Sequence, residues 1–270
     1  MPAPDVSTRS LTDLLDLRGR VALVTGGARG IGRACCKRLA EAGAIAAVCD
    51  KNTEWAEKSV AEISADGGKA IAVELDVTSL PSVLSCIESV TGQLGGIDIL
   101  VNNAGIYPPA LFLDLTDEQW ETLCGINLTG ALRMAREVAK VMATANHGVI
   151  INITSIAAFV ATNPALSAYT AAKHGLWGLT KSMALELGPS GIRVLAVAPT
   201  LVETEGILEL RARQNSVTLA DEGGQLGSDM PLGRAALPDD VARAVLFGAS
   251  DMAVMMTGST LAVDGGRLIH

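Results

Sequence analysis

Tyr169 and Lys173 stand four residues apart in the segment YTAAK, a spacing that places both side chains on one face of a helix. A free tyrosine has a pKa of about 10 and is a poor base at neutral pH, but a nearby ammonium group favours its phenolate. Ser155, in NITSIAA, lies fourteen residues before Tyr169 and adds a hydroxyl. These three side chains predict acid/base chemistry at an alcohol or carbonyl oxygen, with Tyr169 exchanging the proton.

A glycine-rich turn follows the first apolar run of the chain. Its sequence, TGGARGIG, leads directly into a segment with helical spacing, so that the glycines Gly26, Gly30 and Gly32 lie at the turn from a strand to a helix. Glycine permits a tight turn and a close approach of the backbone, and a helix N-terminus offers free N–H groups to a pyrophosphate. The turn therefore predicts a dinucleotide site formed by Gly26, Arg29, Gly30, Ile31 and Gly32.

Asp50 ends the second apolar run, eighteen residues after the last of these glycines. An acidic residue at about this distance accepts hydrogen bonds from the adenosine ribose, and its charge repels a 2'-phosphate, which favours NAD over NADP. Lys51 and Arg29 are cations that could meet such a phosphate, so the preference is not absolute. Asp76 and Val77 follow the third run, where the same crevice would continue, and either contact adenine or only cap a loop.

Apolar runs and segments with helical spacing alternate along the whole chain. This alternation predicts a Rossmann-type α/β fold, a doubly wound sheet of about seven parallel strands with helices on both faces, in a single domain. The predicted strands are Val21 to Thr25, Ile45 to Cys49, Ala70 to Leu75, Ile97 to Asn102, Val149 to Thr154, Val194 to Ala198 and Leu261 to Val263.

Two segments depart from this alternation. Residues 1–19 are expected to be an N-terminal extension, either a short helical arm or a frayed tail, before a catalytic domain at 20–270. Residues 201–230 lack a strand pattern and are interpreted as a substrate-binding loop or lid, with an ordinary solvated excursion as the alternative. Tyr107 is a candidate pocket wall that either contacts substrate or packs in its loop.

Composition excludes several classes of function. The net charge of -8, without a cluster of Lys and Arg, argues against nucleic acid as a partner. No apolar stretch approaches the roughly 20 residues of a membrane span, and no signal-peptide core is present. The five cysteines lack paired spacing, and the three histidines are scattered, so neither disulfides nor a metal site is expected. We expect a cytoplasmic protein.

Five motifs in order resemble the classical short-chain dehydrogenase/reductase family from about residue 19 to residue 266. They are TGGARGIG at 25–32, NNAG at 102–105, Asn127 in GINLTG, Ser155 with YTAAK at 169–173, and VDGG at 263–266. The resemblance implies Tyr169 as the general acid/base, Ser155 as a hydrogen-bond partner of the substrate oxygen, and Asn127 as the anchor of a water in a proton relay.

Further roles are also implied by this resemblance. Lys173 would lower the pKa of Tyr169 and hold the nicotinamide ribose, so both residues also contact the cofactor. The adenosine half would be bordered by Asn102, Asn103, Ala104 and Gly105, and the nicotinamide half by Pro199, Val202 and Thr204. Two departures stand out: Thr200 replaces the glycine that the family commonly has after the proline, and the interval from Ser155 to Tyr169 is one residue longer than usual.

The resemblance implies hydride transfer between NAD(H) and a small-molecule secondary alcohol, polyol or ketone. One alternative is a 3-oxoacyl-thioester (acyl carrier protein) reductase that uses NADPH. An alternative of another class is a dinucleotide-binding module without turnover. A homo-oligomer, tetramer or dimer, is expected, with helices at about 118–144 and 166–187 and the C-terminal segment as candidate interfaces. The small residues of these helices would suit either an interface or packing on the sheet.

Overall fold

The alternating pattern folds as predicted in the computed structural model, which describes residues 3–161, 163–213, 227 and 230–269. The strands are β1 (Val21–Thr25), β2 (Ile45–Asp50), β3 (Lys69–Glu74), β4 (Ile99–Asn102), β5 (Gly148–Ile153), β6 (Ile192–Pro199) and β7 (Thr260–Val263). The α-helices are α1 (Leu11–Leu15), α2 (Gly30–Glu41), α3 (Thr53–Ala65), α4 (Leu80–Leu94), α5 (Asp117–Cys124), α6 (Ala131–Ala145), α7 (Ser167–Leu187), α8 (Glu205–Arg213) and α9 (Pro238–Ala249).

The strands described form one parallel seven-stranded sheet in the order β3-β2-β1-β4-β5-β6-β7. The predicted fold class is therefore confirmed, and each predicted strand is present within about three residues of its expected ends. The strand order reverses between β1 and β4, and in such sheets the carboxyl ends of the strands at this point open onto a ligand crevice.

Both faces of the sheet are covered, which explains why the strands are continuously apolar rather than alternating. Adjacent residues of β1 contribute to opposite cores: Val24 packs with α2 and α9, and Leu23 packs with α4 and α6. Alanines line much of these helix faces. Ala135 and Ala139 of α6 are buried in a core with strand residues, and Ala172 of α7 is buried in a cluster with Leu123 of α5, so packing within this one chain already accounts for them.

The candidate interface helix at 118–144 is not one regular α-helix. Residues Gly125–Gly130 form a π-helical turn between α5 and α6. The sequence pattern does not show this interruption, because apolar residues on both sides keep the same helical spacing. The turn displaces the backbone next to the candidate active site.

The N-terminal segment is held against the domain. Ser10 and Asp13 form a capping box at α1. The side chain of Leu17 is fully buried, and Arg9 forms an ion pair with Asp251 at the far end of the chain. Among the residues described, no helix combines the length and apolar character needed to cross a membrane.

Candidate functional site

Tyr169, Lys173 and Ser155 converge at the carboxyl end of β5. Tyr169 and Lys173 lie one turn apart on α7, and the Lys173 Nζ atom is 5.6 Å from the centre of the Tyr169 ring. Lys173 is buried, and its Nζ donates a hydrogen bond of 2.8 Å to the carbonyl oxygen of Ile153. Ser155 lies two residues beyond β5, and its hydroxyl lies beside the Tyr169 phenol, where it lowers the pKa of that phenol. The hydroxyls of Ser155 and Tyr169 can therefore meet one oxygen atom of a ligand, with the Lys173 amine one helical turn away.

Burial has the largest effect on the pKa values of Tyr169 and Lys173. It raises the pKa of Tyr169 to about 12, against the hydrogen bond from Ser155, which lowers the pKa. Burial also lowers the pKa of Lys173 to about 8. Lys173 is not among the causes of the Tyr169 shift in this structure, and the lowering comes from Ser155. A cation placed beside the phenol would favour its charged form.

Asn127 lies in the π-helical turn and points toward the same crevice. Its Nδ2 atom donates to the carbonyl oxygens of Ile106, at 2.9 Å, and Leu123, at 3.0 Å. In a regular α-helix the backbone N–H of residue 127 would bind the Leu123 carbonyl, so the side chain satisfies an acceptor that the π turn frees. The buried Oδ1 atom of Asn127 has no hydrogen-bond partner among the described residues, which leaves it available to a water or ligand.

The glycine turn between β1 and α2 is a cradle that side chains would fill. Gly26 and Gly30 have positive φ angles of 62° and 55°. A Cβ atom added to Gly32 would lie only 2.1 Å from the carbonyl oxygen of Gly26. Asn103 locks the turn, since its Nδ2 atom donates to the carbonyl oxygens of Thr25 and Gly26, each at 3.0 Å. The backbone at the start of α2 thus lies at the wall of the cleft, where its N–H groups suit an anion such as a pyrophosphate.

The end of the crevice where the sequence predicts the adenosine carries both positive and negative side chains. The Asp50 carboxylate accepts hydrogen bonds from the backbone N–H groups of Ala28, at 3.3 Å, and Asn52, at 3.0 Å. Lys51 is exposed beside it. The Arg29 guanidinium lies 4.7 Å from the centre of the Trp55 ring and pairs with Glu209.

Asp76 and Val77 follow β3 at the same end. The Asp76 carboxylate binds the backbone N–H and the hydroxyl of Thr78, which lowers its pKa. Val77 is buried against the glycine at the end of the π-helical turn. Asp76 thus caps its own loop, which is one of the two roles that the sequence left open. Asp76 and Val77 also line the crevice.

The end of the crevice where the sequence predicts the nicotinamide is built by the segment after β6. Val202 pairs in an isolated bridge with Ala236, and the Thr204 hydroxyl accepts a hydrogen bond from the backbone of Ile207 at the start of α8. Tyr107 is hydrogen-bonded to Thr204 and meets the Tyr169 ring edge to face at 6.3 Å. The Thr200 hydroxyl is buried and has no partner in the part of the chain that the structure describes.

The loop from Ser155 to Tyr169 contains one residue of unusual backbone conformation near its end. Ala165 takes a left-handed conformation with φ of 63°, which is uncommon for a residue with a Cβ atom. Its carbonyl accepts a hydrogen bond of 2.9 Å from Ala110. The strained backbone therefore lies in a tethered loop that borders the crevice, and Ser155 keeps its contact with Tyr169.

All of these groups line one cleft of about 1580 Å³. That volume exceeds the roughly 300–1,000 Å³ of a typical small-ligand pocket and leaves room for an extended dinucleotide and a substrate. Among the sequence-predicted site residues, Gly32 and Asn102 do not line the cleft. The others line the cleft, namely Gly26, Arg29, Gly30, Ile31, Asp50, Lys51, Asp76, Val77, Asn103, Ala104, Gly105, Asn127, Ser155, Tyr169, Lys173, Pro199, Val202 and Thr204.

Part of the segment interpreted as a substrate-binding loop or lid lies outside the described residues. Residues 214–226 and 228–229 of the 201–230 segment are not among the described residues. The described part contains α8, with Ile207 buried and Glu205 and Gly206 lining the cleft.

Sequence reasoning placed Glu205 in the predicted 201–230 loop but missed its contact with the glycine turn, and it missed Trp55 among other residues of the cleft. Trp55 is contacted by Arg29, and its place in the first turn of the helix after Asp50 is the signal that could have found it. Glu205 accepts a hydrogen bond of 3.1 Å from the backbone N–H of Gly30 and pairs with Arg33. These two residues are 175 positions apart, so no local pattern links them.

Comparison with known proteins shows the same architecture and motifs elsewhere. Residues 26–267 match the family model described as enoyl-(acyl carrier protein) reductase. The chain is 40% identical over 253 residues to D-threitol dehydrogenase of Mycolicibacterium smegmatis, covering 94% of each protein. It is 38% identical over 252 residues to 3-oxoacyl-(acyl-carrier-protein) reductase of Vibrio harveyi, covering 93% of this chain and 98% of that protein.

The backbone of this chain is also similar to that of a solved structure. A gluconate 5-dehydrogenase from Burkholderia cenocepacia, in complex with NADP and tartrate, superposes with a TM-score of 0.88 at 35% identity, covering 97% of this chain and 100% of that chain. Sequence and structure thus agree over nearly the whole length. The chain belongs to the classical short-chain dehydrogenase/reductase family of oxidoreductases, whose fold binds a nicotinamide dinucleotide.

Proposed function

We propose that this protein is an NAD-dependent dehydrogenase that transfers a hydride between the nicotinamide and a secondary alcohol, polyol or ketone. The observation that carries the proposal is the contact of the Tyr169 phenol with Ser155, one helical turn from Lys173. This trio lies in the same cleft as the glycine turn and Asp50, so proton exchange and cofactor binding share one space.

Each member of the trio has a distinct task in the proposed reaction. Ser155 and Tyr169 hold the substrate oxygen, and Tyr169 removes the alcohol proton or returns it to the carbonyl. The bound nicotinamide supplies the acceptor or donor of the hydride. Lys173, anchored on Ile153, binds the ribose and supplies positive charge. Asn127 directs its free Oδ1 atom to a water that exchanges protons with solvent.

The proposed preference for NAD rests on Asp50. Its carboxylate lies beside the glycine turn through its bond to Ala28, where negative charge disfavours a 2'-phosphate. The similar gluconate 5-dehydrogenases were solved with NADP bound, and Lys51 and Arg29 are the cations of this chain that could serve that cofactor. Both cofactors therefore belong in the test.

A polyol or sugar acid is the substrate class that two relatives support. D-threitol dehydrogenase and gluconate 5-dehydrogenase are named for such substrates. Several further relatives are 3-oxoacyl-(acyl-carrier-protein) reductases, including those of Vibrio harveyi and Thermotoga maritima. They favour a reductase of 3-oxoacyl thioesters as the second candidate, against which stands the acidic net charge of -8.

A substrate panel tests the proposal directly. Polyols, sugar acids, aliphatic and aromatic secondary alcohols, hydroxysteroids and a 3-oxoacyl thioester are each assayed with NAD(H) and NADP(H) at the nicotinamide absorbance. We expect turnover of an alcohol or ketone with NAD(H), and loss of at least about 100-fold in kcat for Tyr169→Phe. Turnover of the variant near the wild-type rate would reject Tyr169 as the base. Thermal stabilisation by the cofactor without any turnover would favour the binding module.

We further propose a cytoplasmic homo-oligomer, a tetramer or dimer, with residues 1–19 as an extension and 201–230 as a substrate lid. Exposed apolar side chains on two candidate helices support the assembly, since Leu132 of α6 is 38% exposed and Leu185 of α7 is 82% exposed. Sedimentation velocity tests the assembly, and a monomer at micromolar concentration would reject it. The five cysteines are all free thiols, which fits a reducing compartment.

A further inference from the structure

The carboxylate of Glu205 occupies the N-terminus of α2. One of its oxygens accepts a hydrogen bond of 3.1 Å from the backbone N–H of Gly30, the first residue of that helix. The other oxygen pairs with Arg33 in the next turn of the helix. A negative group at this position is stabilised by the free N–H groups and by the helix dipole.

The same N–H groups are the ones that the glycine turn offers to a pyrophosphate. The segment that carries Glu205 rests directly on this turn, because a Cβ atom added to Gly30 would lie 3.3 Å from the methyl group of Thr204. A carboxylate and a phosphate are both anions that accept hydrogen bonds from a helix N-terminus. They cannot bind the same N–H group at the same time without sharing its hydrogen bond.

Helix α8 is attached to the cofactor site by a second carboxylate as well. Glu209, one turn after Glu205, pairs with Arg29 of the glycine turn at 3.5 Å. Ile207 between them is buried. The start of α8 is thus held on the dinucleotide site by two acidic side chains, and Glu205 is the one that reaches the backbone of the turn.

We infer that Glu205 is an internal anion that holds α8 on the phosphate site, and that the pyrophosphate of the dinucleotide must displace it in order to bind. The inference rests on the proposed function in that it takes the glycine turn as a dinucleotide site. Because Glu205 is the first residue of α8, displacement of Glu205 couples cofactor binding to the position of that helix.

The test compares ligands with and without phosphate. Dissociation constants of NADH, ADP and adenosine are measured by calorimetry for the wild type and for Glu205→Gln. The variant keeps a neutral acceptor for the Gly30 N–H, and a neutral hydrogen bond is about half as strong as a charge-assisted one. We expect NADH and ADP to bind about tenfold more tightly to the variant, and adenosine to bind equally well to both proteins.

A matched control separates competition from the loss of an ion pair. Glu62 also pairs with Arg33, at 3.7 Å, but does not reach the glycine turn, so Glu62→Gln should leave all three dissociation constants unchanged. Unchanged or weaker binding of NADH by Glu205→Gln, or equal tightening of adenosine, would overturn the inference. If the folded wild type bound neither NADH nor ADP, the proposed function itself would fail; binding to the wild type with no effect of Glu205→Gln would overturn only the inference.

Discussion

The Nζ atom of Lys173 is bonded to the carbonyl oxygen of Ile153 at 2.8 Å. This contact ties α7 to the last residue of β5 and holds the amine inside the protein, 4% exposed. An ammonium group in such a place is desolvated, which is why the pKa of Lys173 falls to about 8. The residue proposed to assist Tyr169 therefore changes its charge close to neutral pH.

Lys173→Met should change how stability depends on pH. Between about pH 8 and the ordinary lysine value of 10.5, the unfolded wild type binds more protons at Lys173 than the folded protein does. The contribution of Lys173 to the free energy of unfolding therefore rises with pH across that window. Below about pH 8, burial of the charged amine lowers the free energy of unfolding by an amount that no longer depends on pH. Urea unfolding without cofactor at several pH values should show a steeper rise for the wild type than for Lys173→Met. Equal slopes would contradict the buried, proton-releasing amine.

Ser155→Ala should slow the reaction and shift its pH profile. The Ser155 hydroxyl lowers the pKa of Tyr169, so its removal raises that pKa and moves the alkaline activation of alcohol oxidation to higher pH. Loss of a donor to the reacting oxygen should also lower kcat about 100-fold or more. The measurement is kcat/KM against pH for both proteins. Ser167→Ala, at the exposed start of α7, is the control, and an unshifted profile in Ser155→Ala would refute the assigned contact.

Asp50→Asn should weaken the preference for NAD. The substitution keeps the shape of the side chain but removes the charge that we propose binds the ribose hydroxyls and repels a 2'-phosphate. We expect the dissociation constant of NADH to rise roughly tenfold and that of NADPH to stay the same or fall. Asp66→Asn, on an exposed carboxylate that pairs with Lys37, is the matched control. Equal loss of both cofactors would show that Asp50 serves only the fold.

Thr200→Val should weaken the binding of cofactor or substrate without lowering the free energy of unfolding. Its hydroxyl is buried and lacks a hydrogen-bond partner within the described residues, so replacing it by a methyl group should leave the free energy of unfolding unchanged or slightly higher. If the hydroxyl binds cofactor or substrate, the dissociation constant of NADH or the KM should rise about fivefold, which Thr200→Ser should largely prevent. Lower stability with unchanged binding in Thr200→Val would mean that the hydroxyl already has a structural partner.

The amino-acid sequence by itself determined the strand order along the chain, the glycine turn and the positions of Asp50, Tyr169, Lys173 and Ser155. These features depend on local spacing. A strand is marked by a run of apolar residues, the turn by its glycines, and the pairing of Tyr169 with Lys173 by their separation of one helical turn. Once the strands are parallel, their carboxyl ends share one edge of the sheet, and the site residues that follow them meet there.

Only the tertiary structure decided the long-range contacts of the site, the π-helical turn and the pKa shifts. Glu205 reaches Gly30 across 175 positions, and Trp55 meets Arg29, because the folded sheet brings the end of β6 and the start of α3 to the same turn. The π-helical turn at Asn127 arises inside a regular apolar pattern. The opposite pKa shifts of Tyr169 and Lys173 come from desolvation, which depends on every neighbour that excludes water and not on the spacing of the two residues.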